Sequence, residues 1–270
     1  MKSAITICLV PEARSGPFVL HDGLAAGCRV AADLGFDGVE IFPVSAAEFD
    51  TADVARVVAG HGLAVAAVGT GAGWLRHRLQ LCDPEAAVRM QAEAFISAII
   101  DLAGDCGAPA IVGSMQGRSG GGMERDAALE HLSAALDRLG DRAARHGQPL
   151  LYEPLNRYET DLFNRQAEAA AFLAARGLAN VRLLADLFHM NIEESDLAAT
   201  LRAAGSRVGH VHWADSNRRA MGLGHTDPAP VAAALRGIGY EGWLSAEVFP
   251  APTAAEAAAR TIESFRRHVR

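Results

Sequence analysis

The stretch Pro149-Leu150-Leu151-Tyr152-Glu153-Pro154-Leu155-Asn156-Arg157-Tyr158-Glu159 joins a short apolar run to two acids. The run closes on Glu153, and Pro154, which has no N–H to donate, stops a strand there. Glu159 follows in the next loop. The design recurs further along the chain: Val181–Asp186 ends on Asp186 with His189 three residues on, Val208–His212 ends on His212 with Arg218 six residues on, and Trp243–Glu247 ends on Glu247. Taken singly, an acid at a strand end is a solvated loop residue or a helix cap. Taken together, Glu153, Asp186, His212 and Glu247 offer three carboxylates and one imidazole, which suits a divalent cation of intermediate hardness such as Mn²⁺, Mg²⁺, Co²⁺ or Zn²⁺. Three carboxylates packed together without a cation would repel one another and their pKa values would rise.

The elements that must position these residues alternate between strand-like and helix-like blocks. Strands are expected over Ala4–Leu9, Gly38–Phe42, Leu63–Val68, Pro109–Gly113, Pro149–Glu153, Val181–Asp186, Val208–His212 and Trp243–Glu247, each short and rich in Val, Ile or Leu, as strands buried on both faces are. Between them, apolar residues at three- and four-residue spacing predict helices over His21–Leu34, Ala52–His61, Pro84–Cys106, Arg125–His146, Asn164–Arg176, Asp196–Ala204, Pro228–Gly237 and Thr253–His268. Pro84 and Pro228 suit first helical turns, and Gly35, Gly107, Gly147 and Gly177 suit helix ends. Eight such units read as a closed (β/α)8 TIM barrel, an α/β fold of about 250 residues in which every strand C-terminus lies on one face. Side chains at those ends converge without any long-range accident. The alternative, an open doubly wound sheet, needs a glycine-rich phosphate loop after the first strand, and Val10–Gly16 carries none. The glycine-rich stretch Gly113–Gly122 lacks the Lys-Ser/Thr ending of a P-loop. It reads equally as a rim loop placing Gln116 or Arg118 on a substrate and as a plain connection. No linker divides the chain, so residues 1–270 are expected to form one barrel domain.

Other polar residues carry less. His210 and His212 point to the same side of their strand. His212, nearer the C-terminal end, is the expected ligand, with His210 one layer down as a hydrogen-bonded core histidine. His225 and Asp227 could serve a second metal, but a turn and a helix cap before Pro228 explain Asp227 better. Glu40 ends the second strand, facing the pocket or making a structural hydrogen bond. Trp74 and Trp213 line a pocket or simply pack. The chain has 270 residues, 50% hydrophobic and 21% charged, a globular composition, and a net charge of −7 that argues against a general nucleic-acid surface. No apolar run reaches the ~20 residues of a membrane helix, and the N-terminus lacks the pattern of a signal peptide. The four cysteines, Cys8, Cys28, Cys82 and Cys106, are scattered without metal or redox spacing, as expected for reduced thiols of a cytoplasmic protein.

At these residues the sequence resembles the xylose-isomerase-like barrel superfamily, and within it the D-tagatose and D-psicose 3-epimerases. The matching pieces are Glu153 to Glu159, Asp186-Leu187-Phe188-His189-Met190, His212 to Arg218, Gly222-Leu223-Gly224-His225-Thr226-Asp227, and Gly239-Tyr240-Glu241-Gly242 leading to Glu247. The resemblance is strong over the second half and rests on barrel rhythm in the first. It implies that Glu153, Asp186, His212 and Glu247 hold the metal, with Mn²⁺ foremost. It implies that Glu153 and Glu247 are also the acid/base pair, and that Glu159, His189 and Arg218 hold the substrate. It further implies a small sugar or keto-sugar substrate, no nucleic-acid or membrane partner, and the dimers or tetramers common among such relatives.

That chemistry is coherent. Epimerisation beside a ketose carbonyl removes a weakly acidic carbon-bound proton and returns one from the other face, through an enediolate that a cation stabilises. Aldose–ketose isomerisation of the hydroxypyruvate type uses the same enediolate and is the first rival; dehydration or lysis of a polyol or keto-acid is another. DNA repair of the endonuclease IV type needs a multi-metal cluster with further histidines and a basic groove, and only His225 offers an obvious additional ligand. The acidic balance and the lack of a phosphate cradle favour an unphosphorylated sugar.

Overall fold

The computed structural model describes residues 1–270. Eight parallel strands close into a barrel in the order β1 to β8: β1 (Lys2–Cys8), β2 (Gly38–Phe42), β3 (Ala64–Gly69), β4 (Ala110–Val112), β5 (Leu150–Tyr152), β6 (Val181–Asp186), β7 (Val208–His212) and β8 (Trp243–Ala246). β8 pairs back onto β1, with Ala4 opposite Ser245 and Ile5 opposite Ala246. The expected (β/α)8 barrel is the observed fold. The helices are α1 (Leu24–Leu34), α2 (Thr51–Gly60), α3 (Ala72–His77), α4 (Ala86–Asp105), α5 (Arg125–Arg145), α6 (Gln166–Ala175), α7 (Leu187–Glu193), α8 (Leu197–Ala204), α9 (Pro228–Gly237) and α10 (Ala254–His268).

Local chemistry accounts for many of the boundaries. The Asp50 carboxylate caps α2 at Ala52 N–H, 2.8 Å, and Asp227 caps α9 at Ala229 N–H, 3.0 Å, with Pro228 in the first turn. Thr253 caps α10: its Oγ1 accepts from the Glu256 N–H, and its hydroxyl donates to the Glu256 carboxylate. Gly35 closes α1 at φ +81°, a left-handed conformation that glycine adopts at no steric cost.

Three expectations need correction. Pro84 does not enter a helix; it precedes Glu85, the N-cap of α4. Glu153 and Glu247 lie one residue beyond β5 and β8 rather than at their last positions. Glu153 still donates its N–H to Val112 O, but Pro154 cannot extend the ladder. Two short helices, α3 and α7, fall in segments where no helix is expected from the sequence. The main core is a 66-residue apolar cluster that includes strand and helix side chains. A separate four-residue cluster, Ala67, Ile111, Leu151 and Leu184, joins strands β3 to β6.

Candidate metal centre and active site

Strand side chains alternate, so residues two apart share a face. Stepping two residues from the apolar cluster toward the C-terminal rim leads from Leu151 to Glu153 and from Leu184 to Asp186. The same step leads from His210 to His212 and from Ser245 to Glu247. The β6–β7 register sets His210 beside Leu184 and His212 beside Asp186. His212 Nδ1 lies 3.3 Å from Asp186 Oδ2, 3.4 Å from Glu247 Oε2 and 3.7 Å from Glu153 Oε1. The four donor atoms all lie within 4.8 Å of one another.

The second polar atoms of Asp186 and His212 are tied elsewhere, leaving one donor from each of these two side chains for the centre. Asp186 Oδ1 caps α7, accepting from the N–H groups of Phe188 at 2.7 Å and His189 at 3.4 Å, while Oδ2 faces His212. His212 Nε2 donates to Glu40 Oε2 at 3.3 Å, leaving Nδ1 toward the carboxylates. Glu40 is held in turn by His210 Nε2 at 2.9 Å and the Thr6 hydroxyl at 3.0 Å. This carboxylate–histidine arrangement orients an imidazole for a metal. Glu153 Oε1 is buried and has no hydrogen-bond partner, a costly state for a carboxylate unless something else contacts it. The donor set, its burial and this orphaned oxygen fit a divalent cation.

The electrostatics agree. Burial above all, reinforced by Asp186 and Glu247, pushes Glu153 well above the usual carboxylate range. Burial also opposes ionisation of Asp186, but His189, the hydrogen bond from His212 and the Arg218 charge outweigh it and hold Asp186 low. Burial disfavours the His212 cation, yet Glu40, Asp186 and Glu247 raise the imidazole well above its ordinary value. A cation bound at Nδ1 would take the place of that proton.

His189, Glu159 and Arg218 border the same centre. His189 Nε2 is 3.7 Å from Asp186 Oδ2 and 3.8 Å from Glu153 Oε1. Its other nitrogen, Nδ1, accepts from the Asn156 backbone N–H at 3.3 Å and from the Asn156 side-chain amide at 2.7 Å. That amide also donates to Glu159 Oε1 at 3.0 Å. Arg218 places Nη2 2.5 Å from Glu247 Oε2 and 3.7 Å from Asp186 Oδ2, with its guanidinium 5.0 Å from the Phe188 ring centroid. Its backbone is left-handed, φ +56°, a strained state for a residue with a side chain. The adjoining loop is organised by Asp215, which accepts from the N–H groups of Ser216, Gly222, Gly224 and Thr226 at 2.7–3.0 Å.

Above the centre opens a cavity of about 340 Å³, a size usual for small-molecule sites. Phe18, Phe42, Trp74, Leu75 and Leu155 form much of its apolar wall; Thr70 and Ser114 add hydroxyls. Gly113 backs Glu153: a Cβ there would come 2.5 Å from Glu153 Oε2.

All seven expected site residues meet here, and Glu40 fills both of its proposed parts, lining the cavity and bonding structurally. His210 is the buried, hydrogen-bonded partner expected one layer down. For most of the remaining candidates the structural alternative holds, as expected for Asp227 and Trp213. Gln116 is fully buried, its amide donating to the carbonyls of Gly113 and Glu153 and accepting from the Tyr152 hydroxyl, so it props the backbone of Glu153 instead of reaching a substrate. Arg118 does not line this cavity. Trp213 is packed in the core, with its indole N–H toward Ser264. His225 is exposed and bonded to Ser216, outside the centre, and Asp227 is a helix cap. Sequence reasoning missed Asn156 and Asp215. The signals were an Asn between Glu153 and Glu159, and an Asp ahead of a run of turn glycines.

Comparison with known proteins agrees with this geometry. A family model described as "Xylose isomerase-like TIM barrel" matches residues 28–268. The L-ribulose 3-epimerase of Mesorhizobium japonicum is 31% identical over 80% of this chain and 72% of its own. The D-psicose 3-epimerase of Agrobacterium fabrum is 30% identical over 88% of this chain and 80% of its own. Among solved structures, the 3-keto-D-glucoside 4-epimerase of E. coli superposes with a TM-score of 0.83 at 25% identity, over 99% of both chains. This chain belongs to the xylose isomerase-like TIM barrel family and is similar within it to sugar 3-epimerases.

Proposed function

We propose that the protein is a divalent-cation-dependent epimerase, built as one barrel domain over residues 1–270, that inverts a carbon beside the carbonyl of an unphosphorylated sugar. The observation that carries this reading is the convergence of Glu153, Asp186, His212 and Glu247 within 4.8 Å on the floor of a sugar-sized cavity. These four residues hold the cation, Mn²⁺ foremost with Mg²⁺, Co²⁺ and Zn²⁺ as alternatives; when bound, it supplies Lewis-acid stabilisation of the enediolate. Glu153 and Glu247 come from β5 and β8, so they approach a substrate from different directions. One carboxylate removes the carbon-bound proton and the other carboxyl returns one to the opposite face, as inversion requires. His189 offers its Nε2–H, and Arg218 its charge, to the oxygen on which negative charge develops. Glu159 receives a hydroxyl. Glu12, Glu40, Glu153, Glu159 and Glu247 all line the cavity, and this acidity disfavours a phosphate dianion. The four unpaired cysteines support a cytoplasmic setting, and no helix is long and apolar enough to cross a membrane.

The test is turnover of free ketoses, keto-acids and their phosphates in D₂O with Mn²⁺, Mg²⁺ or Co²⁺. Deuterium should enter at the inverted carbon, and metal-loaded Glu153→Gln and Glu247→Gln should each lose epimerisation. Quantitative transfer of substrate hydrogen between adjacent carbons would indicate aldose–ketose isomerisation instead. A clear preference for a sugar phosphate would overturn the substrate class.

A further inference from the structure

The cavity over the four-residue centre is not the end of the site. It shares Trp74, Ser114, Leu155 and Glu159 with a second cavity of about 250 Å³, whose far side is Gln80, Gly117, Arg118 and Tyr158. A shallower hollow continues from Trp74, Gln80 and Arg118 over Gly120 and Gly121. The chain therefore carries a groove that begins at the cation centre, crosses Trp74 and leaves along the glycine-rich segment.

The walls of the outer cavity are built. Trp74 stands at the junction with the Arg78 guanidinium 5.1 Å from its ring centroid. Arg78 is left-handed, φ +57°, and with Arg218 it is one of only two non-glycine residues with positive φ. The backbone carrying Arg118 is pinned on both sides. The Cys82 thiol donates to the carbonyls of Gln116 and Arg118, the Thr160 hydroxyl donates to Gly117 O at 2.7 Å, and the Ser119 N–H and hydroxyl donate to Asp161. Tyr158 is 76% exposed, a large aromatic left in water, yet its N–H is fixed by Asn156 Oδ1 at 3.0 Å. Asn156 thus joins the outer cavity to His189 and Glu159 of the inner one.

Two aromatic faces with an amide, a guanidinium and a hydroxyl between them suit a neutral, hydroxyl-rich ring: the aromatic faces take the C–H surface and the polar groups take the hydroxyls. An acid stands in each part of the outer groove, Glu159 in the second cavity and Asp83 in the hollow, and offsets Arg118. A phosphate has no net positive field here. A lone ketose would fill the inner cavity and leave this second one to water.

We propose that the substrate is a disaccharide-sized keto-glycoside: the ketone-bearing ring lies over Glu153, Asp186, His212 and Glu247, and a second sugar ring crosses Trp74 to rest against Tyr158, Gln80 and Arg118. The identity of the reacting ring rests on the epimerase reading above; the second-ring site rests on the outer cavity.

The test separates the two. Calorimetric titration of the metal-loaded protein compares 3-ketosucrose and 3-ketocellobiose with the methyl α- and β-3-keto-glucosides, which keep the reacting ring and lack the second. At least one disaccharide should bind ten times or more tighter than the methyl glycoside of the same linkage. Tyr158→Ala and Arg118→Ala, both at exposed positions, should each remove most of that difference and leave the methyl glycoside unchanged. Equal affinities in both linkages overturn the proposal, as do variants that weaken disaccharide and methyl glycoside alike. Epimerisation of free ketoses with no gain from a second ring would leave the epimerase reading standing and the outer site refuted. A tenfold gain through Tyr158 and Arg118 without epimerisation of any substrate would refute the epimerase reading and keep the outer site.

Discussion

Asn156 fixes the tautomer of His189. Its backbone N–H and side-chain amide both point at Nδ1, at 3.3 and 2.7 Å, and both can only donate. The amide cannot be reversed, because its oxygen accepts from Tyr158 N–H and its nitrogen donates to Glu159. Nδ1 is therefore the acceptor and the proton sits on Nε2, which faces the carboxylate centre. Burial above all lowers the His189 pKa and favours the neutral ring.

Asn156→Ala should cost roughly tenfold in kcat/KM, about the worth of one hydrogen bond in a buried site, while metal affinity stays near that of the parent. Asn156→Asp, which places an acceptor opposite Nδ1, should pull the proton there and cost more. Kinetics and metal titration on both variants check this; a parallel loss of metal binding would make Asn156 a scaffold residue only.

The cation should stabilise the fold. A ligand present at a hundred times its Kd adds about 2.7 kcal/mol, which at this chain length raises Tm by roughly 5 °C or more. Calorimetric melting with and without a chelator, then with added Mn²⁺ or Co²⁺, should show a reversible shift. Asp186→Ala and His212→Ala should abolish it.

Glu40 lines the cavity and also holds His212 through Nε2. Glu40→Gln should weaken metal binding about 10–100-fold, as loss of an orienting partner does, and the amide should also disturb His210. Metal affinity measured by calorimetry is the readout; unchanged affinity would remove Glu40 from the centre.

Gly113→Ala should damage the site through sterics alone. The added methyl would stand 2.5 Å from Glu153 Oε2, and the carboxylate must move to admit it. Since a misplacement of ~1 Å costs about a hundredfold in rate, activity should fall by tenfold or more with little change in Tm.

Asp215 sets an acid limit. Burial would raise its pKa, but the N–H groups of Thr226, Gly224, Ser216 and Gly222 outweigh that and lower it. A folded-state value below the unfolded one, about 3.9, stabilises the protein above that pH, and the contribution is lost as pH falls below it. Asp215→Asn should lower Tm at pH 7, and the gap to the parent should narrow below about pH 4. A gap independent of pH would show that the carboxylate charge does not hold this loop.

The barrel and the convergence of its candidate metal centre were legible in the sequence for a physical reason. Parallel strands buried on both faces leave unbroken apolar runs, and a parallel barrel brings all their C-termini to one rim. An acid or histidine closing such a run is therefore placed by local pattern alone, as with Glu153, Asp186, His212 and Glu247. Their short-range companions His189, Glu159 and Arg218 follow because a few residues of loop cannot carry them far. What the sequence could not determine depends on approach between distant segments. Glu40 lies 172 residues from His212, and only barrel closure brings them together. Gln116 looked free in a glycine-rich loop until packing turned its amide onto Glu153 O. The second cavity exists because Trp74 of α3 and Arg118 and Tyr158 of two separate loops line one space. Those contacts join segments far apart in the chain, so no local period announces them and they are decided only when the chain has folded.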